Sequence, residues 1–224
     1  MPHTNTSEAG LESLIVAALT GLPVQATTGI DAAKDAPAAY GGVGYVLGDP
    51  SDYNREYCVD LAQLTIFLGE TQPGMVEVLG LDEDGPTRRK FLARVQGEVS
   101  KRGTIDVLRH GIKHGAHDLD LFYGTPSAGN QKANTLYAAN RFSVTRQLRY
   151  SRDETQLALD LGIFINGLPV ATFELKNSLT KQTVEDAVWQ YKKDRNPREK
   201  LLEFGRCIVH FALDEQEVRF CTHL

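Results

Sequence analysis

Asp160, Glu174 and Lys176 are the residues of this chain whose types and spacing most readily do chemistry. Asp160 interrupts LALDLGIFI, an otherwise apolar run, and Glu174 and Lys176 close VATFELK. A carboxylate inside an apolar strand costs several kcal/mol unless something compensates it, and a divalent cation is a strong compensator. Two carboxylates completed by water suit magnesium, which prefers oxygen ligands and keeps much of its hydration. The competing reading is a carboxylate–lysine pair on a sheet edge, a frequent pattern.

The two runs read as a β-hairpin, QLALDLGIFI and LPVATFELK joined at Asn166–Gly167. Strand parity then tests the cluster. A plain two-residue turn sets Asp160 opposite Phe173 and sends Glu174 to the other face. A three-residue loop or one bulge sets Asp160 and Glu174 on one face, with Lys176 joining them. A catalytic hairpin is therefore expected to depart from the plain two-residue turn.

Elements that position the hairpin follow from periodicity. Residues 7–19 carry Leu11, Leu14, Ile15 and Ala18 at helical spacing behind Ser7 as N-cap, with Glu8 and Glu12 one turn apart. Residues 20–50 read as loop with strand fragments near Val43–Leu47, and 57–69 as helix or buried strand, with the start favouring helix. Residues 88–102 read as a basic amphipathic helix stopped by Gly103. TIDVLR (104–109) and DLDLFY (118–123) read as strands. Thr183–Asp194 reads as a helix ended by Pro197, and LLEF as a short helix. RCIVHFAL (206–213) and EVRFCTHL read as the final strands. Strand–strand–helix–strand, with the helix as crossover, implies a mixed sheet with helices on its faces.

Composition bounds the class. The 224 residues are 42% apolar and 24% charged, an ordinary globular balance, with a formal charge of −5. The charge is split along the chain. Residues 1–87 hold 2 basic and 13 acidic side chains, 88–152 hold 13 and 4, and 153–224 hold 9 and 12. A basic middle offers a polyanion a positive face that the net charge conceals. Cys58, Cys207 and Cys221 lack zinc-site spacing and read as free thiols of a reducing compartment. No secretion signal or apolar run of membrane-spanning length is present, so the expected location is cytoplasmic. No phosphate loop GxxxxGK[ST] occurs, so the chain is not expected to bind ATP itself. The histidines of HGIKHGAHD (110–118) read as structural or solvent-facing, and Trp189 as a core or partner contact.

Asp160 and Glu174-x-Lys176 on a hairpin, followed by a helix carrying Gln190, resemble the PD-(D/E)xK nuclease core. More narrowly, LALDLGIFINGLPVATFELKN, with NRFSVTRQLRYS and LTKQTVEDAVWQYKKDRNP, resembles the N-terminal nuclease domain of the restriction (R, HsdR-type) subunit of type I restriction enzymes. The resemblance is specific over 104–224 and weaker over 1–103. It implies an α/β fold with a mixed sheet flanked by helices. Residues 1–103 would be a helical and irregular part of the nuclease domain, and 104–224 its catalytic core. The family's ATP-driven translocase domains would lie downstream, outside this chain.

The resemblance further implies a Mg²⁺-dependent endonuclease cutting duplex DNA without reading sequence. Asp160, Glu174 and the Leu175 carbonyl would hold the metal. Lys176 would orient or deprotonate the attacking water, or stabilise the transition state. Glu8 or Glu12 resembles an accessory acidic position. The family's Gln-x-x-x-Tyr pattern is met here by Gln190 but not by residue 194, an aspartate, and Tyr191, three residues earlier on a helix that turns 100° per residue, points in another direction. Lys192, Lys193, Arg195 and Arg198 are expected to contact the DNA backbone, and the helix 88–102 to track phosphates or dock on the motor. Partners would be the motor domains and the methyltransferase and specificity subunits. Two other readings stand beside this one: a degenerate nuclease fold that docks those partners without cutting, and a stand-alone metal-dependent phosphohydrolase.

Overall fold

Two apolar runs make the centre of the sheet: β7 (Ala158–Ile165) and β8 (Leu168–Leu175). The computed structural model describes residues 8–22, 44–154, 156–177 and 181–224. Ser7, read as a helix cap, and 23–43, most of the long loop, lie outside them. To one side of β7 stand β6 (Phe142–Arg149) and then β1 (Tyr45–Gly48); beyond β8 stand β9 (Val209–Leu213) and β10 (Val218–Cys221). β1 runs parallel to β6 and β8 parallel to β9, and the other pairs are antiparallel. The sheet is thus mixed, as the strand–helix–strand pattern requires.

The hairpin has both a tight turn and a bulge. Ile165 pairs with Leu168 across Asn166 and Gly167, whose φ values of 50° and 81° are the two positive values a type I′ turn demands. The register then slips. Phe164 pairs with Pro169, but Ile163 pairs with Ala171, leaving Val170 as the extra residue. Its carbonyl is not wasted, since it accepts the Ile208 N–H at 2.8 Å. Proline, which donates nothing to a ladder, is tolerated beside such an irregularity.

Buried amides hold the turn. The Asn166 amide nitrogen donates to the Leu121 carbonyl (2.9 Å) and to Asn140 Oδ1 (3.0 Å), and its oxygen accepts the Arg141 N–H (2.6 Å). Gly167 has no room for a side chain: an added Cβ would stand 2.8 Å from the Leu64 nitrogen and closer still to the Asp60 carbonyl. Gly167→Ala is therefore expected to cost roughly 3 kcal/mol, combining a left-handed alanine with overpacking. Urea unfolding checks this, and a loss below about 0.5 kcal/mol, the ordinary surface value, would contradict it.

Helices cover both faces. α1 (Glu8–Thr20) lays Val16, with Leu11, Ile15 and Leu19, on Val144, Leu161, Leu175 and Leu213. On the opposite face α7 (Val184–Trp189) contributes Val184 and Ala187 to a cluster with Tyr191, Leu148, Leu159 and Phe164. The hairpin tip, through Leu168 and Val170, enters a third cluster with α2 (Leu61–Thr71), α4 (Pro86–Arg102) and α5 (Thr104–His110). The short strands β2 (Tyr53–Asn54) and β3 (Val59–Asp60) pair just before α2, which Asp60 caps by accepting the Gln63 N–H; α3 (Met75–Val78) and α6 (Gln131–Ala138) are short helices in the connections, and Gly103, at φ 82°, ends α4.

Three expectations change. TIDVLR is α5 and not a strand, because Thr104, Val107 and Leu108 are the buried set, a spacing of three and four that suits a helix. Of the next expected strand, 118–123, only Asp118 and Leu119 are extended, within β5 (His117–Leu119), which pairs with β4 (Ile112–His114) in a small hairpin that sets His114 opposite His117. LLEF forms turns, with Leu201 and Leu202 buried by tertiary packing without a helix. His114 packs edge-on against Phe91, and His110 is exposed.

One buried histidine carries a pH signature. His210, on β9, is 2% exposed and touches Thr172 Oγ1 through Nδ1 at 2.7 Å. Burial lowers it from 6.5 to about 4. As pH falls below 6.5 the unfolded chain takes up a proton that the folded chain refuses until about 4. Stability is therefore lost across that window, by roughly 3 kcal/mol from this residue. Asp60, raised to about 6, and Glu174, raised to about 8, act in the opposite direction. The comparison that isolates His210 is wild type against His210→Gln in urea at pH 7 and pH 4.5. The variant is expected to gain on the wild type at the lower pH, and equal pH responses would contradict the assignment.

Candidate active site at the open end of the hairpin

The bulge decides where the two carboxylates point. Beyond it, Leu161 pairs with Phe173, so the same register sets Asp160 opposite Glu174. No ladder pair follows Leu161–Phe173. Instead the Leu175 N–H donates to Asp160 Oδ2 at 2.6 Å. The aspartate side chain takes the place of a strand carbonyl where β7 and β8 begin to separate. The strand also changes character there, since Leu159 packs with the α7 cluster and Leu161 with the α1 cluster. On the neighbouring strand Gln147 adopts a positive φ of 47°, at the gap between the Arg146–Leu161 and Leu148–Leu159 pairs.

Glu174 is 1% exposed and its carboxyl group meets a residue that turns inward from the crossover. Gln190–Asp194 form a single π-turn, closed by the Arg195 N–H on the Gln190 carbonyl at 3.1 Å. That wide turn delivers the Arg195 guanidinium to Glu174 Oε1, with contacts of 2.7 and 2.6 Å. The guanidinium also donates to the Ala158 carbonyl (2.7 Å) and lies 5.6 Å from the Tyr150 ring centre. Burial pushes Glu174 up to about 8, Arg195 opposes that rise and Asp160 adds to it. Arg195 is thus no DNA contact, contrary to its place in the basic run.

Lys176 follows the strand and is largely buried, with its N–H on the Leu213 carbonyl (2.9 Å) and Nζ 3.7 Å from Glu8 Oε1. Of the two acidic residues on α1, Glu8 approaches the cluster. Glu12 is bound elsewhere, to the Arg146 guanidinium and to Gln147 Nε2. Tyr191 points into the core, its hydroxyl 2.8 Å from Thr172 Oγ1, while Gln190 is half-buried. The fold thus gathers Asp160, Glu174, Leu175, Lys176 and Glu8, and sets Tyr191 beneath the sheet.

A divalent cation suits this donor set. Two carboxylates face each other with one buried guanidinium, so once both are ionised negative charge remains to be met, and a cation there would oppose the burial that holds Glu174 up to about 8. Among the described residues no group of three or more His, Cys, Asp and Glu stands close enough to hold a metal alone. Water or substrate oxygens would have to complete the shell, as magnesium favours.

Much of the basic middle is paired internally. Arg88 and Arg89 meet Asp84, Arg94 meets Glu98, and Arg102 meets both Glu98 and Asp106. Lys192, Lys193 and Arg198 are exposed. Trp189, expected in the core or at a partner, is 59% exposed with Lys193 Nζ 5.4 Å from its ring centre. Among the described residues no helix is long and apolar enough to cross a membrane.

The molecule is a mixed α/β protein with its acidic residues and lysine at the open end of a central hairpin. Residues 124–224, just under half the chain, match the family described as the type I restriction enzyme R protein N terminus. A curated relative, the putative type I restriction enzyme MjaIXP endonuclease subunit of Methanocaldococcus jannaschii, is 25% identical over 115 residues. That alignment takes in 51% of this chain and 11% of the relative, so the chain corresponds to a small part of that protein. No solved structure matches. Over this span, then, the chain resembles the N-terminal part of the R protein of type I restriction enzymes.

Proposed function

We propose that the chain is a Mg²⁺-dependent endonuclease domain with a PD-(D/E)xK core, acting within a type I restriction subunit on duplex DNA. The observation that carries the reading is the bulge at Val170, which turns Asp160 and Glu174 toward one another at the strand ends. Without it the two carboxylates would lie on opposite faces of the sheet.

Asp160, Glu174 and the Leu175 carbonyl would hold the cation. When bound, it supplies a water of lowered pKa and neutralises charge on the scissile phosphate. Asp160 is positioned for this by the Leu175 N–H, and Glu174 by Arg195. Lys176, sheltered from solvent beside Glu8, would orient the attacking water or donate to the developing phosphorane oxygens. Lys192, Lys193 and Arg198 would meet backbone phosphates. Such contacts carry no sequence information and weaken with salt, which suits an enzyme whose target is chosen by another subunit.

The test is plasmid cleavage by the complete subunit with its methyltransferase and specificity partners, in Mg²⁺ and ATP. Wild type is compared with Asp160→Ala and Lys176→Ala. Loss of cutting with an intact complex supports the reading. Uncut plasmid accompanied by failed assembly would favour the docking-module reading, and cutting by both variants would defeat the catalytic assignment.

A further inference from the structure

We infer that Arg195 is a positioning residue, a clamp that joins the separating ends of β7 and β8 and so fixes the spacing of Asp160 and Glu174. The inference rests on the nuclease reading for its consequence, but its geometry is independent of it.

The ladder between the two strands stops at Leu161–Phe173, one position short of Asp160 and Glu174. Strands freed in this way splay unless something replaces the missing bonds. Arg195 reaches both. One nitrogen donates to the Ala158 carbonyl on β7, while Nε and the same terminal amine contact Glu174 on β8. The planar fork can make these bonds together, whereas a lysine ammonium is a point charge on a flexible stem. The guanidinium is itself fixed, being 6% exposed over Tyr150 and anchored at its own N–H by the π-turn. π-Turns are rare, and they are frequent at functional sites. An ordinary α-helical ending would bond residue 195 to 191 and turn its side chain through a different angle. The second link across the gap is the Leu175 N–H to Asp160. With the clamp removed, that bond would be left to hold the two ends to each other, β7 being otherwise held there by β6 and β8 by β9.

The clamp has two consequences. The Leu175 amide should be protected from exchange in wild type and lose protection when the fork is lost. The affinity for a cation shared by Asp160 and Glu174 should also fall, since outer residues that orient ligands typically account for about 10- to 100-fold.

The 224-residue chain is prepared as wild type, Arg195→Lys and Arg195→Met. Hydrogen exchange is followed at Leu175, with Ala171, inside the intact ladder, as the control. Mn²⁺ binding is followed by calorimetry. Arg195→Lys keeps the charge opposite Glu174, so it is the variant that folds if Arg195→Met does not. In Arg195→Lys, exchange at Leu175 is expected to quicken by on the order of 10-fold with Ala171 unchanged. Mn²⁺ affinity is expected to fall by about 10-fold or more. Unchanged exchange at Leu175 overturns the clamp, whatever the cation does. Failure of the wild type to bind Mn²⁺, with or without duplex DNA, overturns the nuclease reading separately, and the amide result still decides the clamp.

Discussion

Lys176→Ala is expected to abolish DNA cleavage by the complete subunit while leaving the fold in place. Lys176 lies just beyond β8, with its main chain, not its side chain, bonded into the sheet through Leu213. Truncation therefore removes an ammonium without removing a ladder bond. Its ion pair with Glu8 is loose, at 3.7 Å, so little stability goes with it. The catalytic loss should be large, because a group that moves a proton or stabilises the transition state contributes about 10²- to 10⁴-fold. Asp160→Ala should lose cutting to the same extent, with a cost near 1 kcal/mol for the lost acceptor of the Leu175 N–H. The measurement is the rate of plasmid linearisation, with a thermal melt of each variant alongside. A variant that keeps a tenth or more of the wild-type rate would sink its assignment.

Glu174→Ala is expected to behave differently, losing both cutting and stability. Arg195 would be left buried and charged with no carboxylate to meet it. Breaking a buried pair from one side costs about 3–5 kcal/mol, because the remaining charge is uncompensated. Removing both charges together, in Glu174→Gln with Arg195→Met, should restore much of the stability, since a neutral pair of similar volume carries no such penalty. The double variant should still fail to cut. A double-mutant cycle in urea measures the coupling. Additive losses, with no recovery in the double variant, would show that the pair is not energetically linked. Glu174 thus differs from Asp160 in kind: it serves the proposed chemistry and holds the crossover to the sheet.

Several parts of this arrangement were legible in the chain before folding. The hairpin, its Asn–Gly turn, the mixed sheet and α1, α4 and α7 follow from local periodicity and turn chemistry. Each depends on residues within a few positions of one another. The requirement for a bulge was legible too, because strand parity links the separation of Asp160 and Glu174 to the face each occupies. TIDVLR misled because its β-branched residues favour a strand, while burial against a distant loop selected the helical face.

Arg195 was hidden for a similar reason. In sequence it is one of four basic residues near Pro197, and nothing local separates it from Lys192, Lys193 and Arg198. A glutamate in a central apolar strand does announce that some buried counter-charge must exist. Which residue supplies it depends on a π-turn, and that turn forms because the crossover packs against the sheet. The choice between Glu8 and Glu12 is of the same sort, one turn apart on α1 and separated only by Arg146 arriving from β6.

By itself the sequence determined which residue types were available for chemistry, that two carboxylates and a lysine sit on one hairpin, and which family the chain resembles. Tertiary structure alone decided where Val170 bulges, which acid stands beside Lys176, and that Arg195 faces inward. The physical reason is range. Turn and strand preferences act over a few residues, whereas a buried charge is compensated by whatever the completed fold brings within about 3 Å of it.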